Sequence, residues 1–325
     1  MKVLIVKTSS MGDVLHTLPA LTDATKAIKQ ITFDWVVEEN FAQIPSWHFA
    51  VDRVIPCAIR RWRKNWFAKS TRLERKQFIK QLQLEQYDCI IDAQGLIKSA
   101  FLITRKANGI KHGLDKRSAR EPIASLFYDV KHFVAKDLHA VERVRTLFAK
   151  SLGYVLAPES IGDYAIANHF VNALPADNQP YFVFLHSTTR DDKHWNEAQW
   201  IDLIKLLEST GYKIKLPWGA PHEQARAKRL AAQFSHVDVL PKLSLADVAL
   251  VLAGAKAVIS VDTGLSHLTA ALDKPNITLY GPTDPNLIGG YGLNQNSLIS
   301  ATHSMDSISA QDVYNKLDCL NLLSH

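Results

Sequence analysis

The sequence predicts an α/β protein of two similar halves facing each other, each a parallel sheet with helices between its strands. Three observations carry this. Apolar strand-like runs alternate with helical patterns along the chain, as βαβ units require. Around 257–272 a buried strand pattern, Ala257-Val258-Ile259-Ser260-Val261, passes through Asp262-Thr263-Gly264 into the helical pattern Leu268-Thr269-Ala270-Ala271-Leu272. A loop-rich stretch, 153–180, carries Pro158, Gly162, Pro175 and Pro180 and splits the strand series in two. With 325 residues, the chain has enough length for two cores.

In the first half, strands are expected near 3–7, 33–37, 53–55 and 89–92. Helical patterns follow Asp13, cover 73–84 and return at 140–151. In the second half, strands are expected at 181–186, 213–216, 237–240, 257–261 and 276–280, with helices at 197–210, 222–234 and 244–253 between them. The predicted domains are 1–160 and 175–309. A last helical segment, 310–325, is expected to pack back on the first half. No short-period repeat or low-complexity tract interrupts this order.

Composition narrows the classes. Charged residues make up 22% and hydrophobic residues 47%, ordinary for a globular protein. No apolar run reaches the roughly 20 residues that span a bilayer. The start, Met1 to Lys7, reads as a first strand, its apolar core being too short for a signal peptide. Cys57, Cys89 and Cys319 lie far apart with no C-x-x-C spacing, which fits a reducing cytoplasm and argues against a disulfide framework or zinc site. Neither half carries G-x-G-x-x-G after a strand or a P-loop, which disfavours dehydrogenases and ATPases. The net charge is +6, so an anionic partner fits. Between Arg60 and Lys80 nine basic residues face one acid, Glu74, with Trp62, Trp66 and Phe67 interleaved.

Candidate chemistry collects at strand ends, where open α/β sheets bind ligands. The first strand runs into Thr8-Ser9-Ser10-Met11-Gly12-Asp13. Two readings fit Asp13 there: a general base for a sugar hydroxyl, or a helix cap. Gly12 would allow a tight backbone path. After the strand at 181–186 come Ser187, Thr188, Thr189, Arg190 and Lys193. This loop could hold phosphate oxygens, or be a solvated charged loop. Glu223, at a helix start after Leu216-Pro217-Trp218-Gly219, either accepts bonds from ribose hydroxyls or complements the helix dipole. Asp262, Thr263, Gly264 and His267 bring a carboxylate, a hydroxyl and an imidazole to a helix N-terminus that suits phosphate, with simple capping as the alternative. Tyr280-Gly281-Pro282-Thr283-Asp284-Pro285 ends a strand and reads as a turn. D-x-D and His/Cys spacings for metal are absent from the sequence, so metal-independent chemistry without a cofactor is expected. Leaving-group charge would fall to Lys193 and a helix N-terminus.

Together, Val3–Pro19, Asp92-Ala93-Gln94-Gly95-Leu96, Thr188–Trp195, Leu216–His222, Ser260–His267 and Tyr280–Pro285 resemble the bacterial ADP-heptose:lipopolysaccharide heptosyltransferases, glycosyltransferase family 9, over nearly the whole chain. The Arg60–Lys64 run and Thr188–Trp195 favour the branch adding the first heptose over the branch adding the second. The resemblance implies a GT-B fold: two Rossmann-like α/β domains with parallel sheets facing a central cleft; because the candidate loops are split between the halves, the two are expected to close on substrate. It implies an inverting transfer of L-glycero-D-manno-heptose from ADP-heptose to the first Kdo of Kdo2-lipid A, on the cytoplasmic face of the inner membrane. By motif, Asp13 matches the general base, and Thr188, Thr189 and Lys193 match the diphosphate site. Glu223 matches the ribose acid and Leu243, where relatives often carry Met, the adenine neighbour. Asp262, Thr263, Gly264 and His267 would lie at the sugar and phosphate. For the acceptor, the candidates are Ser10, Gly12, Arg60, Arg61, Arg63, Lys64 and Arg120. Trp62, Trp66 and Phe67 would rest at the membrane interface, or turn into the core.

Three rivals remain at this level. One is the second heptosyltransferase. Another is a nucleic-acid-binding protein using the 60–80 patch, which would leave the strand-end motifs unexplained. The third is a Rossmann oxidoreductase, which lacks its glycine fingerprint.

Overall fold

The computed structural model describes residues 1–171, 173–174 and 179–324. It divides into two compact units, Met1–Ile166 and Ala167–His325. The expected second-domain start at 175 lies outside the described residues.

The first unit runs β1 (Lys2–Val6), α1 (Met11–Leu15), α2 (Leu18–Ala27), β2 (Thr32–Glu38), α3 (Gln43–Ser46), β3 (Val51–Cys57), α4 (Ile59–Trp62), α5 (Lys69–Leu82), β4 (Gln86–Asp92), α6 (Ile97–Leu102), β5 (Asn108–Leu114), β6 (Val130–His132) and α7 (Ala140–Leu152). Its six strands are parallel in the order β3-β2-β1-β4-β5-β6. The central strand β1 reads Lys-Val-Leu-Ile-Val, and Val3 to Val6 are fully buried, because helices cover both faces of such a sheet. Pro56 is accommodated because β3 is an edge strand. The amphipathic α7 packs on α2 and stops at Gly153, whose φ of 76° is the left-handed conformation that ends helices.

The second unit runs α8 (Ala167–Val171), β7 (Tyr181–Leu185), α9 (Glu197–Leu207), β8 (Lys213–Leu216), α10 (Pro221–Ala231), β9 (Val237–Val239), α11 (Leu245–Ala253), β10 (Ala257–Val261), α12 (Gly264–Ala271), β11 (Asn276–Tyr280), α13 (Pro285–Ile288), β12 (Gln295–Ile299) and α14 (Ala310–Cys319). Its parallel order is β12-β11-β10-β7-β8-β9. Counted from each unit's own first strand, both sheets follow 3-2-1-4-5-6, the doubly wound dinucleotide-binding order. The strand order reverses between β1 and β4 in the first sheet and between β7 and β10 in the second. Those two points are where ligands are expected.

The last helix corrects the sequence reading. Val313 and Leu317, one turn apart on α14, are fully buried in the second unit's own core, beside Trp200, Leu203 and Leu207. The α14 helix packs on α9, and the Ala310 amide donates to Gln199 Oε1 at 2.7 Å. The apolar stripe that suggested a return to the first half is satisfied by α9 instead. Three strands were also not foreseen: β5, β6 and β12. The first reads Asn-Gly-Ile-Lys-His-Gly-Leu, and the other two are half-exposed edges.

Candidate active site

In the first unit, the site grows from the carboxyl end of β1. The Lys7 carbonyl accepts from Trp35 Nε1 at 3.0 Å, and the Lys7 amide donates to the Val36 carbonyl, so the strand exit is fixed. Gln94 Oε1, at the end of β4, then accepts from the amides of Thr8 (2.8 Å) and Ser9 (3.1 Å) and from the Thr8 hydroxyl. Gln94 is itself set by Asp92, a fully buried carboxylate. It accepts from the amides of Gln94 and Gly95, from Ser99 Oγ at 3.1 Å and from Thr104 Oγ1 at 2.8 Å. Burial nonetheless leaves the Asp92 pKa above its ordinary value. Asp92 therefore shapes the loop at the switch point.

Asp13 is the third residue of α1. Its Oδ2 accepts from the Ser10 amide at 2.8 Å and the Ser10 hydroxyl at 3.0 Å, so it closes the helix start. Its other oxygen, Oδ1, lies 3.3 Å from Lys7 Nζ. Burial pushes the Asp13 pKa up, but the Lys7 ammonium and the Ser10 hydrogen bonds outweigh it, and the carboxyl sits below its usual value. Cap and charged carboxylate are thus the same residue. Gly12 is a buried residue inside α1 and is not among the positive-φ glycines.

The acceptor candidates divide. Arg61 is held in a fork with Glu39 at 3.0 and 3.1 Å and also reaches Glu74 at 3.1 Å, so its charge is already met. Arg63 and Lys64 are exposed and make no ion pair among the described residues. Arg60 stacks its guanidinium 5.8 Å from the Phe41 ring centre, and its amide donates to Glu38 Oε1. Arg120 is exposed next to the positive-φ Gly95 and so belongs to the same strand-end edge. Trp62 is a core residue whose Nε1 donates to Glu74 at 2.8 Å, and Trp66 lies under the Arg75 guanidinium; Phe67, 79% exposed, faces solvent. Of the aromatics in this segment, Trp62 therefore turns into the core and Phe67 stays on the surface.

In the second unit, the loops after β7 and β10 meet. Thr188 Oγ1 donates to the Asp262 carbonyl at 3.0 Å, and Lys193 Nζ lies 2.5 Å from Asp262 Oδ2. Lys193 sits in a short 3-10 turn, so the lysine reaches across the β7–β10 switch point. Thr263 is the extended residue before α12 and makes no side-chain capping bond, while Gly264 opens the helix and His267 is buried in it. The first-turn amides of α12 thus stand at the end of β10 beside a carboxylate already paired with a lysine. Thr189 is exposed in the same loop, next to the half-buried Thr188. Glu223 Oε2 accepts from the Gly219 (2.6 Å) and Ala220 (2.9 Å) amides at the start of α10, so one oxygen is used in holding the helix start. Leu243 is half-buried directly before the Ser244 cap of α11. Asp284 caps α13 by accepting from the Asn286 amide, which gives the Tyr280–Pro285 turn a structural role.

Lys7 and Gln94 were not picked out from sequence. The signal for Lys7 was a charge ending a buried strand just before three small polar residues. His186 is a third: it is buried at the end of β7 and bonded through Nδ1 to Ser187 Oγ at 2.9 Å. Among the described residues no group of three or more His, Cys, Asp or Glu is arranged to hold a metal ion.

Two sheets in the dinucleotide-binding order, each with polar and charged loops at its switch point, define a doubly wound α/β protein with a ligand site expected at each sheet. The comparisons narrow this. Residues 75–318 match the family model of glycosyltransferase family 9 (heptosyltransferase), and the chain belongs to that family. It is 67% identical over 317 residues to lipopolysaccharide heptosyltransferase 1 of Salmonella typhimurium, covering 98% of this chain and all of that one. Its identity to the Pseudomonas aeruginosa heptosyltransferase 1 is 54%, over 91% of this chain and 82% of the relative. The solved Escherichia coli heptosyltransferase WaaC with ADP superposes with a TM-score of 0.96 at 65% identity, covering 98% and 99% of the two chains. The fold is thus GT-B-like, and the protein is a glycosyltransferase.

Proposed function

We propose that this chain adds the first heptose of the lipopolysaccharide inner core, moving L-glycero-D-manno-heptose from ADP-heptose to the first Kdo of Kdo2-lipid A. One observation carries the choice of acceptor. Likeness to four enzymes named heptosyltransferase 1 runs at 54–67% over at least nine-tenths of the chain, and to that of Campylobacter coli at 24% over 92%, whereas the Salmonella heptosyltransferase 2 matches at 32% over only 99 residues. The solved relatives described with ADP and with ADP-2-deoxy-2-fluoro heptose support a nucleotide-heptose donor.

The chemistry assigned to the residues is an inverting displacement. The acceptor hydroxyl attacks the anomeric carbon as the bond to the diphosphate oxygen breaks. Asp13, ionised beside Lys7, takes the hydroxyl proton. Lys193 and the first-turn amides of α12 meet the charge that grows on the leaving diphosphate, with Thr188 and Thr189 at the same oxygens. Asp262 positions Lys193 and offers its carboxylate to heptose hydroxyls, with Thr263, Gly264 and His267 alongside. The free Glu223 oxygen faces the ribose role, and Leu243 the adenine. Arg63 and Lys64, unpaired and exposed, suit Kdo carboxylates and lipid A phosphates, with Arg60, Arg120, Ser10 and Gly12 on the same unit. Arg61 acts by bracing that segment through Glu39 and Glu74. No described helix is long and apolar enough to cross a membrane, and the acceptor reading places the enzyme peripherally on the cytoplasmic face of the inner membrane.

The test is transfer of sugar from ADP-heptose to Kdo2-lipid A with EDTA present, beside an acceptor that already carries one heptose. Product on the unheptosylated acceptor alone supports the proposal. Product on the heptosylated acceptor alone assigns the second heptosyltransferase reaction instead.

A further inference from the structure

A cavity of about 680 Å³ opens in the first unit along α5, on the side where residues 102–106 run back from α6. Its walls are apolar: Trp66, Ile79, Leu84, Leu102 and Ile103 contribute, above the core residues Trp62 and Phe78. Its charged lining is of one sign only: Arg72, Arg75, Lys76, Lys80 and Lys106. No aspartate or glutamate lines it, and none of the five cations makes an ion pair among the described residues. The one acid of the segment, Glu74, is taken by Arg61 and Trp62. Arg75 is instead stacked 3.5 Å from the Trp66 ring centre, which joins the charged lining to the apolar wall. Lys106 has its pKa held below the ordinary value, first by burial and then by the like charges of Arg105 and Arg75. Nearby, Phe67, Leu73 and Leu84 are exposed at 79%, 54% and 56%.

An apolar hollow of this size with an uncompensated cationic lining matches an amphiphile with a chain and an anion at one end. Neither half of the ligand suffices alone. A nucleic acid would use the charges and leave the hollow empty, and a neutral hydrophobe would leave five cations crowded together. We propose that this cavity holds one acyl chain of an anionic membrane phospholipid, with its phosphate met by Arg72, Arg75 and Lys106 and with Lys76 and Lys80 toward neighbouring headgroups. Binding there would dock the first unit on a membrane independently of donor or acceptor. The inference uses none of the residues assigned to transfer and stands whether or not the acceptor is as proposed.

The experiment titrates the full chain, with no donor or acceptor present, with lauroyl lysophosphatidylglycerol below its micelle concentration. Glycerol phosphate and lauroyl lysophosphatidylcholine serve as the chain-free control and the zwitterionic control without net charge, and tryptophan fluorescence and calorimetry are the readouts. The expected result is saturable binding of the lysophosphatidylglycerol, at least about tenfold weaker for either control. Arg72→Gln, Arg75→Gln, Lys76→Gln and Lys80→Gln combined should weaken it by about tenfold or more at an unchanged thermal midpoint. Ile79→Trp, which fills the hollow, should do the same; if it does not fold, Leu102→Trp replaces it. Equal binding of glycerol phosphate, equal binding of lysophosphatidylcholine, or indifference to the four glutamines overturns the proposal. So does binding of an acylated acceptor glycolipid while the phospholipid stays inert.

Discussion

Lys193 and Asp262 are 69 residues apart in sequence and 2.5 Å apart in space, and with the Thr188 hydroxyl on the Asp262 carbonyl they tie the β7 loop to the β10 loop. Their side chains are only 15% and 9% exposed, so this is a largely desolvated pair. From sequence, Lys193 is a loop lysine that either meets phosphate or is solvated. The structure gives it two roles, and removing it should leave Asp262 as an uncompensated charge. Lys193→Met should therefore lose on the order of 2 kcal/mol of stability as well as turnover. Adding Asp262→Asn should restore most of the stability and none of the turnover. Chemical denaturation and ADP-heptose turnover on the same samples decide it. Recovery of activity in the double variant would remove the leaving-group role from Lys193.

Asp13 as base makes a signed prediction through Lys7. The base must be ionised, so the acid limb of kcat/KM reports its pKa. Lys7 holds that pKa down. Lys7→Met should move the acid limb to higher pH, toward or above the ordinary carboxylate value, while activity well above that pH is reduced less. Asp13→Asn should lower kcat by about two orders of magnitude or more at every pH and leave donor binding nearly intact. An acid limb unmoved in Lys7→Met would detach Asp13 from that limb.

Why some of this was legible and some was not follows from which signals are local. Runs such as Val3–Val6 and Ala257–Val261 declare themselves because strands buried on both faces are continuous apolar segments. The pairing order then follows from right-handed crossovers. Strand β5 was hidden because its Lys111, His112 and two glycines carry no alternation, and its place is set by β4 and β6 on either side. The charged residues were visible, but their partners were not. Nothing in the spacing says that Glu74 neutralises Arg61, or that Lys7 meets Asp13, because each pair depends on how the irregular stretch between its two residues folds in three dimensions. For the same reason α14 was legible as an amphipathic helix and not as a partner of α9.

The basic segment now separates into charges that are occupied and charges that are not. Arg63→Gln with Lys64→Gln should raise the acceptor KM and spare donor binding, and added salt should weaken the parent enzyme in the same sense and the variant less. Arg61→Gln should behave differently. It breaks exposed links to Glu39 and Glu74, which contribute little to global stability. It should loosen the segment, with a change in protease sensitivity around 60–66. Steady-state kinetics at two salt concentrations and limited proteolysis separate the cases. Equal effects of Arg61→Gln and the double variant on acceptor KM alone would mean that Arg61 also contacts acceptor.

Two buried histidines set an acid limit on folding. His48 accepts the Ala50 amide at Nδ1 and bonds Thr22 Oγ1 through Nε2 at 3.0 Å, so the neutral ring uses both nitrogens. Burial pushes its pKa down to about 4. His186 is likewise pushed down to about 4, by burial and then by the Arg226 charge. In the unfolded chain both would titrate near the ordinary value of about 6.5. Above that pH the rings are neutral in both states and contribute no pH dependence. As pH falls from about 6.5 toward 4 the unfolded state takes up the protons first, so stability falls, by on the order of 3 kcal/mol for each histidine across the window. His48→Gln keeps a donor and an acceptor but does not titrate, and should flatten the slope of unfolding free energy against pH by roughly one proton between pH 6 and 5. Denaturant unfolding at closely spaced pH values measures that slope directly. A variant slope equal to the parent's would show that His48 is protonated in the folded protein as readily as in the unfolded chain.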